Sequence, residues 1–212
     1  MAMTGYNPQQ VSNSINQFKS AYKAYNDAMN TGLQNRFVKP MENIWGCEEA
    51  QNFFRNQYKP AIDALYNSVE KSLSSVVNAM NGAARDWARE TESDFTPINH
   101  DQVPNAVNVD GIQADLNGVK GADLTEATAT VAVLQNIKAE ADGALDQANA
   151  AVSECGFIGG DQQAAISKTL QDIKKAVADL IESLNNATKN RLDDTVSRYG
   201  NTERANTDKF TA

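Results

Sequence analysis

The side chains that could take part in catalysis are few and widely spaced. The chain contains one histidine, His100, so a multi-histidine zinc site cannot be built, and a Ser-His-Asp triad would have to use this residue from a polar segment. The acidic residues at positions 172, 179, 182, 193 and 194 lie away from the apolar positions of their segment, and no Glu-x-x-His pair of the di-iron type occurs. These acids are typical of a solvated helix face. We predict no catalytic, metal-binding or cofactor-binding residues, and therefore no enzyme.

A glycine-rich turn and two cysteines offer other kinds of chemistry. The segment GFIGGDQQAA, residues 156–165, lacks the G-x-G-x-x-G order, a preceding strand and a following Lys-Ser/Thr pair, so it does not predict a phosphate site. Phe157, Gly159 and Gly160 instead indicate a tight chain reversal. Cys47 and Cys155 lie one in each predicted turn, and we expect both to be free thiols.

The elements that must position these residues are helices. Apolar side chains recur in steps of three and four through four segments, at residues 11–37, 54–87, 127–152 and 166–199, and sustained alternation at period two is absent. Each segment has a narrow apolar stripe, which is typical of helices that pack at small crossing angles. The stripes predict an all-α fold with its core along the four seams.

The breaks between the stripes predict how the helices connect. In KPMENIWGCEE, Pro40 should end the first helix and the two glutamates after Cys47 suit the positive start of the next. Pro60 should kink the second helix or mark the point where it restarts. Short turns of this kind join antiparallel neighbours, so each pair of segments predicts a helical hairpin.

The domain organisation follows from these connections. We expect a single four-helix bundle of two antiparallel hairpins packed head to tail. The first hairpin would span residues 1–92, a long irregular connector 93–126, the second hairpin 127–199 and a flexible C-terminal tail 200–212. The halves look like divergent copies, because the interval from Trp45 to Trp87 equals that from Phe157 to Tyr199.

Charge and hydropathy limit the partners. The formal net charge is −8, which disfavours nucleic acid and anionic lipid. No apolar run approaches the roughly 20 residues needed to cross a bilayer. The first residues lack the basic and apolar regions of a cleavable signal peptide.

Two short stretches resemble the WXG superfamily of helical hairpins exported by type VII secretion systems. They are IWGCEEAQNFF at the first turn and Tyr199-Gly200-Asn201-Thr202-Glu203, which fits the Tyr-x-x-x-Asp/Glu export signal of that family. The chain resembles two such hairpins fused in tandem. It departs from the strict Trp-x-Gly spacing because Trp45 is followed directly by Gly46.

The resemblance implies a function. It implies secretion without a cleavable signal peptide from a Gram-positive bacterium, docking on the membrane-bound secretion ATPase, and a role as effector or as partner of another secreted helical protein. The export elements would be Trp45, Gly46, Tyr199 and Glu203. In a head-to-tail bundle Tyr199 arrives near Trp45, so we expect a composite docking surface, and removal of either ring should abolish export with little change in the thermal melt.

Three alternatives remain open from the residues alone. Trp45 could simply staple its turn as an apolar loop residue. The chain could be an intracellular helical adaptor or chaperone that binds a client helix, or a four-helix sensor bundle with a polar pocket. We expect a monomer, because an internally paired bundle has less need of a second chain.

Overall fold

The computed structural model describes residues 8–97, 99, 103–154 and 160–211, with side chains up to residue 202. The molecule is mostly helical, at 82%, which confirms the predicted all-α class. The predicted turn residues Phe157 and Gly159, together with Cys155 and His100, lie outside the described residues. Gly160 is described, and it begins the last helix.

The first helical stretch runs further than Pro40. Helix α1 spans Pro8–Asn26, a π-helical stretch π1 spans Asp27–Val38, and helix α2 spans Lys39–Ile44. Pro40 is the second residue of α2, which continues directly from π1 because Val38 is itself in a right-handed helical conformation. The prediction that Pro40 ends the helix is therefore wrong, and the chain reverses only after Ile44.

The second helical stretch is built in the same way. A two-residue strand β1, Trp45–Gly46, leads into helix α3, Glu48–Phe53, a π-helical turn π2, Phe54–Tyr58, and the long helix α4, Lys59–Glu90. Pro60 is the second residue of α4, so the chain restarts as an α-helix there, which is one of the two predicted outcomes. In both places Lys-Pro follows a π-helical stretch, in which backbone hydrogen bonds span five residues instead of four.

The connector contains short strand pairing and no helix in its described residues. Strand β2, Gly121–Ala122, pairs antiparallel with β1, with Trp45 opposite Ala122 and Gly46 opposite Gly121. Helix α5 then spans Leu124–Ser153, and the carboxylate of Asp123 caps it by accepting the N–H of Glu126 at 3.0 Å.

The last helix is longer than the sequence predicted. Helix α6 spans Gly160–Thr211 and passes through Gly200 without interruption. A helix end after Tyr199 was expected because glycine is a poor helix former, but one glycine costs only about 1 kcal/mol in a helix interior. Residues 200–211 are therefore helical, within the segment 200–212 for which a flexible tail was predicted.

The chain divides into two compact units, and each contains residues from all the long helical stretches. The first unit comprises residues 1–29, 65–105 and 139–178, and the second comprises 30–64, 106–138 and 179–212. In the first unit, Tyr22 of α1 bonds Glu70 of α4, Lys174 of α6 pairs with Asp146 of α5, and Gln162 of α6 bonds the carbonyl of Ala79 of α4. Within that unit, these contacts join α1 to α4, α5 to α6, and α6 to α4.

Candidate functional site

The site most strongly marked by the sequence is the chain reversal at Trp45 and Gly46, in the second unit. Cys47 follows in an extended conformation and caps α3: its Sγ accepts the N–H of Ala50 at 3.4 Å, and its carbonyl accepts the N–H of Gln51 at 3.1 Å. The thiol is free and buried, as predicted for Cys47. A two-residue strand and a side-chain cap therefore fix the turn between α2 and α3.

Trp45 lies inside an aromatic cluster. Its ring centroid is 6.1 Å from that of Phe53 and 6.0 Å from that of Phe54, while Phe37 and Tyr58 pack on Phe54 at 5.9 and 5.1 Å. The Trp45 side chain has 0% of its surface exposed. Contacts at these separations add about 0.5–1.5 kcal/mol per pair to the burial of each ring, so the cluster is a major source of stability in the second unit.

The complete burial of Trp45 corrects one expectation. Replacing a buried tryptophan by alanine costs about 3–5 kcal/mol, so loss of this ring would lower the thermal melt substantially. The expectation of an unchanged melt is wrong for Trp45. A partner that approaches the closed turn would meet the residues around the indole and not the ring itself.

Gly46 is required by a close approach of the connector. A Cβ atom at this position would lie 2.5 Å from Cγ of Leu116 and 2.8 Å from the backbone of Asp115 and Leu116. No side chain fits in that space without movement of the connector backbone. The glycine of the Trp-Gly pair therefore has a packing role at the point where the connector crosses the turn.

The connector crosses the turn as a tight β-hairpin. Leu116 and Val119 exchange two backbone hydrogen bonds, of 2.7 and 3.1 Å, and the two residues between them, Asn117 and Gly118, both have positive φ, at 54° and 84°. This geometry is a two-residue type I′ turn, for which Asn-Gly is the preferred sequence. The Asn-Gly pair at positions 117–118 is a sequence signal for this hairpin. The hairpin was nevertheless not among the predicted elements.

Helix α6 contributes the other side of the site. Thr195 Oγ1 lies 4.0 Å from Cys47 Sγ, and the guanidinium of Arg198 pairs with the carboxylate of Glu49. Tyr199, the next residue, is half-buried, and the Arg198 guanidinium lies 5.8 Å from its ring centroid. The end of α6 that carries Tyr199 therefore packs against the residues that follow Trp45. The Glu203 side chain lies outside the described residues.

Ion pairs surround the turn. Lys120 of the connector pairs with Glu48 at 3.1 Å, and this hydrogen bond raises the pKa of the Lys120 ammonium above its usual value. Two ion pairs among the described residues, Lys120–Glu48 and Arg198–Glu49, thus lie beside the turn.

Two buried polar atoms of the aromatic cluster have no hydrogen-bond partner among the described residues: Nε1 of Trp45 and the hydroxyl of Tyr58. Burial alone raises the pKa of the Tyr58 phenol far above its usual value, so this group stays neutral. A buried donor without an acceptor costs about 1–3 kcal/mol. The cluster is therefore tightly packed, but two of its buried polar atoms lack a hydrogen bond to the described residues.

A second polar cluster lies in the first unit, and the sequence analysis missed it. Glu70 is buried on α4 and accepts the hydroxyl of Tyr22 at 2.6 Å, and Tyr66 donates to the carbonyl of Val103 in the connector. Burial and the neighbouring Glu70 raise the pKa of both Tyr22 and Tyr25. Glu70 follows Val69 directly, so it lies outside the three-and-four spacing of the apolar stripe, and its tyrosine partner comes from another helix.

The described residues bring together no group of three His, Cys, Asp or Glu side chains suited to a metal ion. None of the helices in this part of the chain combines the length and apolar character that a bilayer-spanning segment requires. A comparison with protein-family models, curated proteins and solved structures finds no match to the chain. Inference about function therefore rests on the geometry of the Trp45 turn and on the resemblance of its residues.

Proposed function

We propose that the chain is a non-enzymatic, WXG-like substrate of a type VII secretion system. Its fold would be a four-helix bundle of two antiparallel hairpins packed head to tail. The observation that carries the proposal is the contact between the Trp45 turn and α6, made by Cys47 with Thr195 and by Glu49 with Arg198. This contact supports a shared surface for the Trp-Gly turn and the Tyr-x-x-x-Glu segment.

The partner in export would be the membrane-bound secretion ATPase. Tyr199 and Glu203 lie one turn apart on a helix, because residues at i and i+4 share a face. An aromatic ring with an acidic group one turn further on suits a groove that offers an apolar pocket and a cationic side chain. Outside the cell the chain would act as an effector, or deliver another secreted helical protein, and it would be a monomer.

Export of single-residue variants tests this proposal. Tyr199→Ala and Glu203→Gln should each reduce the amount of protein in the culture medium at least about tenfold, which corresponds to the loss of one good anchor at an interface. Glu182→Gln is the matched control, since it removes an exposed acid from the same helix away from the turn. Levels inside the cell should be unchanged for all three.

Two further controls make the result interpretable. Deletion of the secretion ATPase should abolish export of the wild-type chain, and a cytosolic marker should be absent from the medium. Normal export of both Tyr199→Ala and Glu203→Gln would refute the export role of these residues. Retention of the wild-type protein inside the cell would instead favour the adaptor hypothesis.

A further inference from the structure

We propose that Asn117 is a site of spontaneous covalent modification, at which the side-chain amide is lost as ammonia and the residue becomes aspartate or isoaspartate. This chemistry is independent of the proposed function, because it needs only the chain and water. The sequence contains two Asn-Gly pairs, Asn81-Gly82 and Asn117-Gly118. The structure places them in opposite surroundings and therefore predicts very different rates at the two asparagines.

The reaction takes place between neighbouring atoms of the Asn-Gly pair. The backbone nitrogen of Gly118 attacks Cγ of Asn117, and a carbon–nitrogen bond forms. The attacking nitrogen gives up its proton to solvent, the side-chain nitrogen takes one up, and ammonia leaves, so that a succinimide ring remains. Water then opens the ring at either carbonyl carbon, which gives aspartate or isoaspartate. No group is oxidised or reduced, and water is the only co-reactant.

The hairpin at Asn117 leaves both reacting groups open to solvent. Asn117 and Gly118 are exposed, and so are the two residues that follow them. Glycine has no side chain to shield its nitrogen, and nothing beyond its chain neighbours lies within 4 Å of the position that a Cβ of Gly118 would occupy. A segment with few buried contacts opens far more often than the whole protein unfolds, so the two groups can meet without global unfolding.

Asp115 controls how often the turn opens. Its Oδ1 accepts the N–H of Gly118 at 2.8 Å. In a type I′ turn the first central residue directs the next nitrogen away from its own Cβ, so the attack requires rotation of the backbone and loss of this hydrogen bond. The carboxylate also places negative charge beside a nitrogen that must give up a proton, which disfavours that step. Both effects have the same sign, and Asp115 therefore slows the reaction.

The Asn-Gly pair in α4 is held far more firmly. Asn81 and Gly82 lie inside Lys59–Glu90, where each backbone N–H bonds the carbonyl four residues earlier. Met80 and Ala84, on either side of the pair, are both 0% exposed. Rotation of the Gly82 nitrogen toward its neighbour would break the helix and pull buried side chains from the core. Opening at Asn81 therefore requires nearly as much free energy as unfolding the helix.

Modification at Asn117 would change the hairpin where it lies against the Trp45 turn. Leu116 and the backbone of Asp115 lie 2.5 and 2.8 Å from the position that a Cβ of Gly46 would occupy. Isoaspartate lengthens the backbone of a two-residue loop whose geometry is matched to the twist of its strands, and either product adds a negative charge beside Asp115. Aged molecules would therefore carry a displaced hairpin next to the turn.

The test uses the full-length purified protein, incubated near neutral pH for several weeks and sampled at intervals. Peptide mapping by mass spectrometry, with fragmentation that distinguishes aspartate from isoaspartate, measures the rates at Asn81 and Asn117 in the same molecules. A parallel incubation in guanidinium chloride gives both rates in the unfolded chain. Asp115→Ala removes the acceptor of the Gly118 N–H, and Asp172→Ala, which removes an exposed acid from α6 in the first unit, is the matched control.

In guanidinium chloride the two rates should agree within about threefold, because both asparagines precede glycine and the fold holds neither. In the folded protein Asn117 should react at least about tenfold faster than Asn81, since opening of the turn requires less free energy than opening of α4. Asp115→Ala should raise the rate at Asn117 about two- to fivefold and leave that at Asn81 unchanged. Asp172→Ala should change neither rate.

A folded-state rate at Asn117 equal to or below that at Asn81 would overturn the proposal, because the turn would then open no more readily than the helix. An unchanged or lower rate at Asn117 in Asp115→Ala would overturn the role of Asp115. The comparison of the two asparagines needs no substitution, so it decides the matter even if Asp115→Ala does not fold. No secretion is measured, and the export experiment therefore stands or falls separately.

Discussion

Two tyrosine hydroxyls in this protein have opposite surroundings. The hydroxyl of Tyr22 donates to the buried carboxyl group of Glu70, whereas the hydroxyl of Tyr58 is buried in the aromatic cluster and has no partner among the described residues. Removing a hydrogen bond lowers stability mainly when it leaves a buried donor or acceptor without a partner. Removing a hydroxyl that has no partner carries no such cost. The same chemical change should therefore have different signs at the two positions.

Replacing each tyrosine by phenylalanine tests this difference. Tyr22→Phe removes a bond to a buried carboxyl group and should lower the free energy of unfolding by about 1–3 kcal/mol. Tyr58→Phe keeps the ring and deletes the unsatisfied hydroxyl, so stability should stay the same or rise by up to about 1 kcal/mol. Urea unfolding of the two variants, compared at equal m-values, measures both effects. A loss above about 1 kcal/mol for Tyr58→Phe would mean that its hydroxyl has a partner after all.

The raised tyrosine pKa values determine how stability depends on alkaline pH. Burial holds the pKa of Tyr25 and Tyr58 well above the usual value of about 10, so these phenols ionise in the unfolded chain first. Above pH 10 the unfolded state binds fewer protons than the folded state, and stability must fall as pH rises. The contribution of these tyrosines to stability is fully present below pH 10, because their phenols are then protonated in both the folded and the unfolded state.

We therefore expect the free energy of unfolding to decline from about pH 10 upward, by up to about 1.4 kcal/mol per pH unit for each fully buried tyrosine. Urea midpoints measured between about pH 8 and 11 follow the decline. Tyr58→Phe should show a shallower slope than the parent over the upper part of this range. Equal slopes for the two proteins would contradict the burial of the Tyr58 phenol.

At the scale of single elements, the Trp45 turn depends on a glycine that a helix would not need. Gly46 faces the connector backbone with no room for a Cβ, whereas Gly143 in the middle of α5 has nothing within 4 Å of the position a Cβ would occupy. Overpacking against backbone atoms cannot be relieved by a change of rotamer. A glycine in an open helix interior only reduces helix stability.

Alanine substitution at these two glycines should give opposite results. Gly46→Ala should destabilise the protein by about 1–3 kcal/mol and displace the hairpin at residues 115–119, whereas Gly143→Ala should stabilise it by about 0.5–1 kcal/mol. Thermal melts of both variants, with backbone amide shifts of residues 115–122 for the first, provide the measurement. An unchanged melt for Gly46→Ala would show that the connector does not lie against the turn.

Helix α6 shows where a sequence pattern succeeds and where it fails. Ile166, Leu170, Ile173 and Val177 were predicted as core and are buried, but further on the apolar residues chosen at 180, 187, 196 and 199 are only half-buried. The buried side chains there are Ile181, Leu184, Thr188, Leu192 and Thr195. The two threonines escaped notice because their hydroxyls are satisfied within the helix, by the carbonyls of Leu184 and Arg191.

For the molecule as a whole, periodicity was enough to predict the helical class and the helix that follows each turn. It did not predict the π-helical stretch Asp27–Val38, which α-helical patterns cannot distinguish, or the pairing of β2 with β1, which depends on contacts between residues far apart in sequence. The burial of Trp45 was missed because a tryptophan beside a glycine at a turn gives no sign of the rings that pack on it, which are those of Phe53 and Phe54. Local patterns predict elements, and long-range packing decides which face of an element is covered.

The central claim is that the Trp45 turn and the C-terminal part of α6 lie side by side in the second unit. The Glu49–Arg198 pair is the most direct expression of this contact. In a fold where α6 ran the other way, residue 198 would lie at the opposite end of a helix segment of about 40 residues, roughly 60 Å distant. The distance between residues 49 and 198 therefore distinguishes the two arrangements.

Spin labels at these two positions measure that distance most directly. Glu49→Cys and Arg198→Cys are labelled with nitroxides in a chain carrying Cys47→Ser and Cys155→Ser, where serine preserves a capping side chain at position 47. Pulsed electron paramagnetic resonance should give a single short distance of about 20 Å or less, since the two side chains are in contact and each label adds only its own length. A distribution centred near about 60 Å would contradict the account.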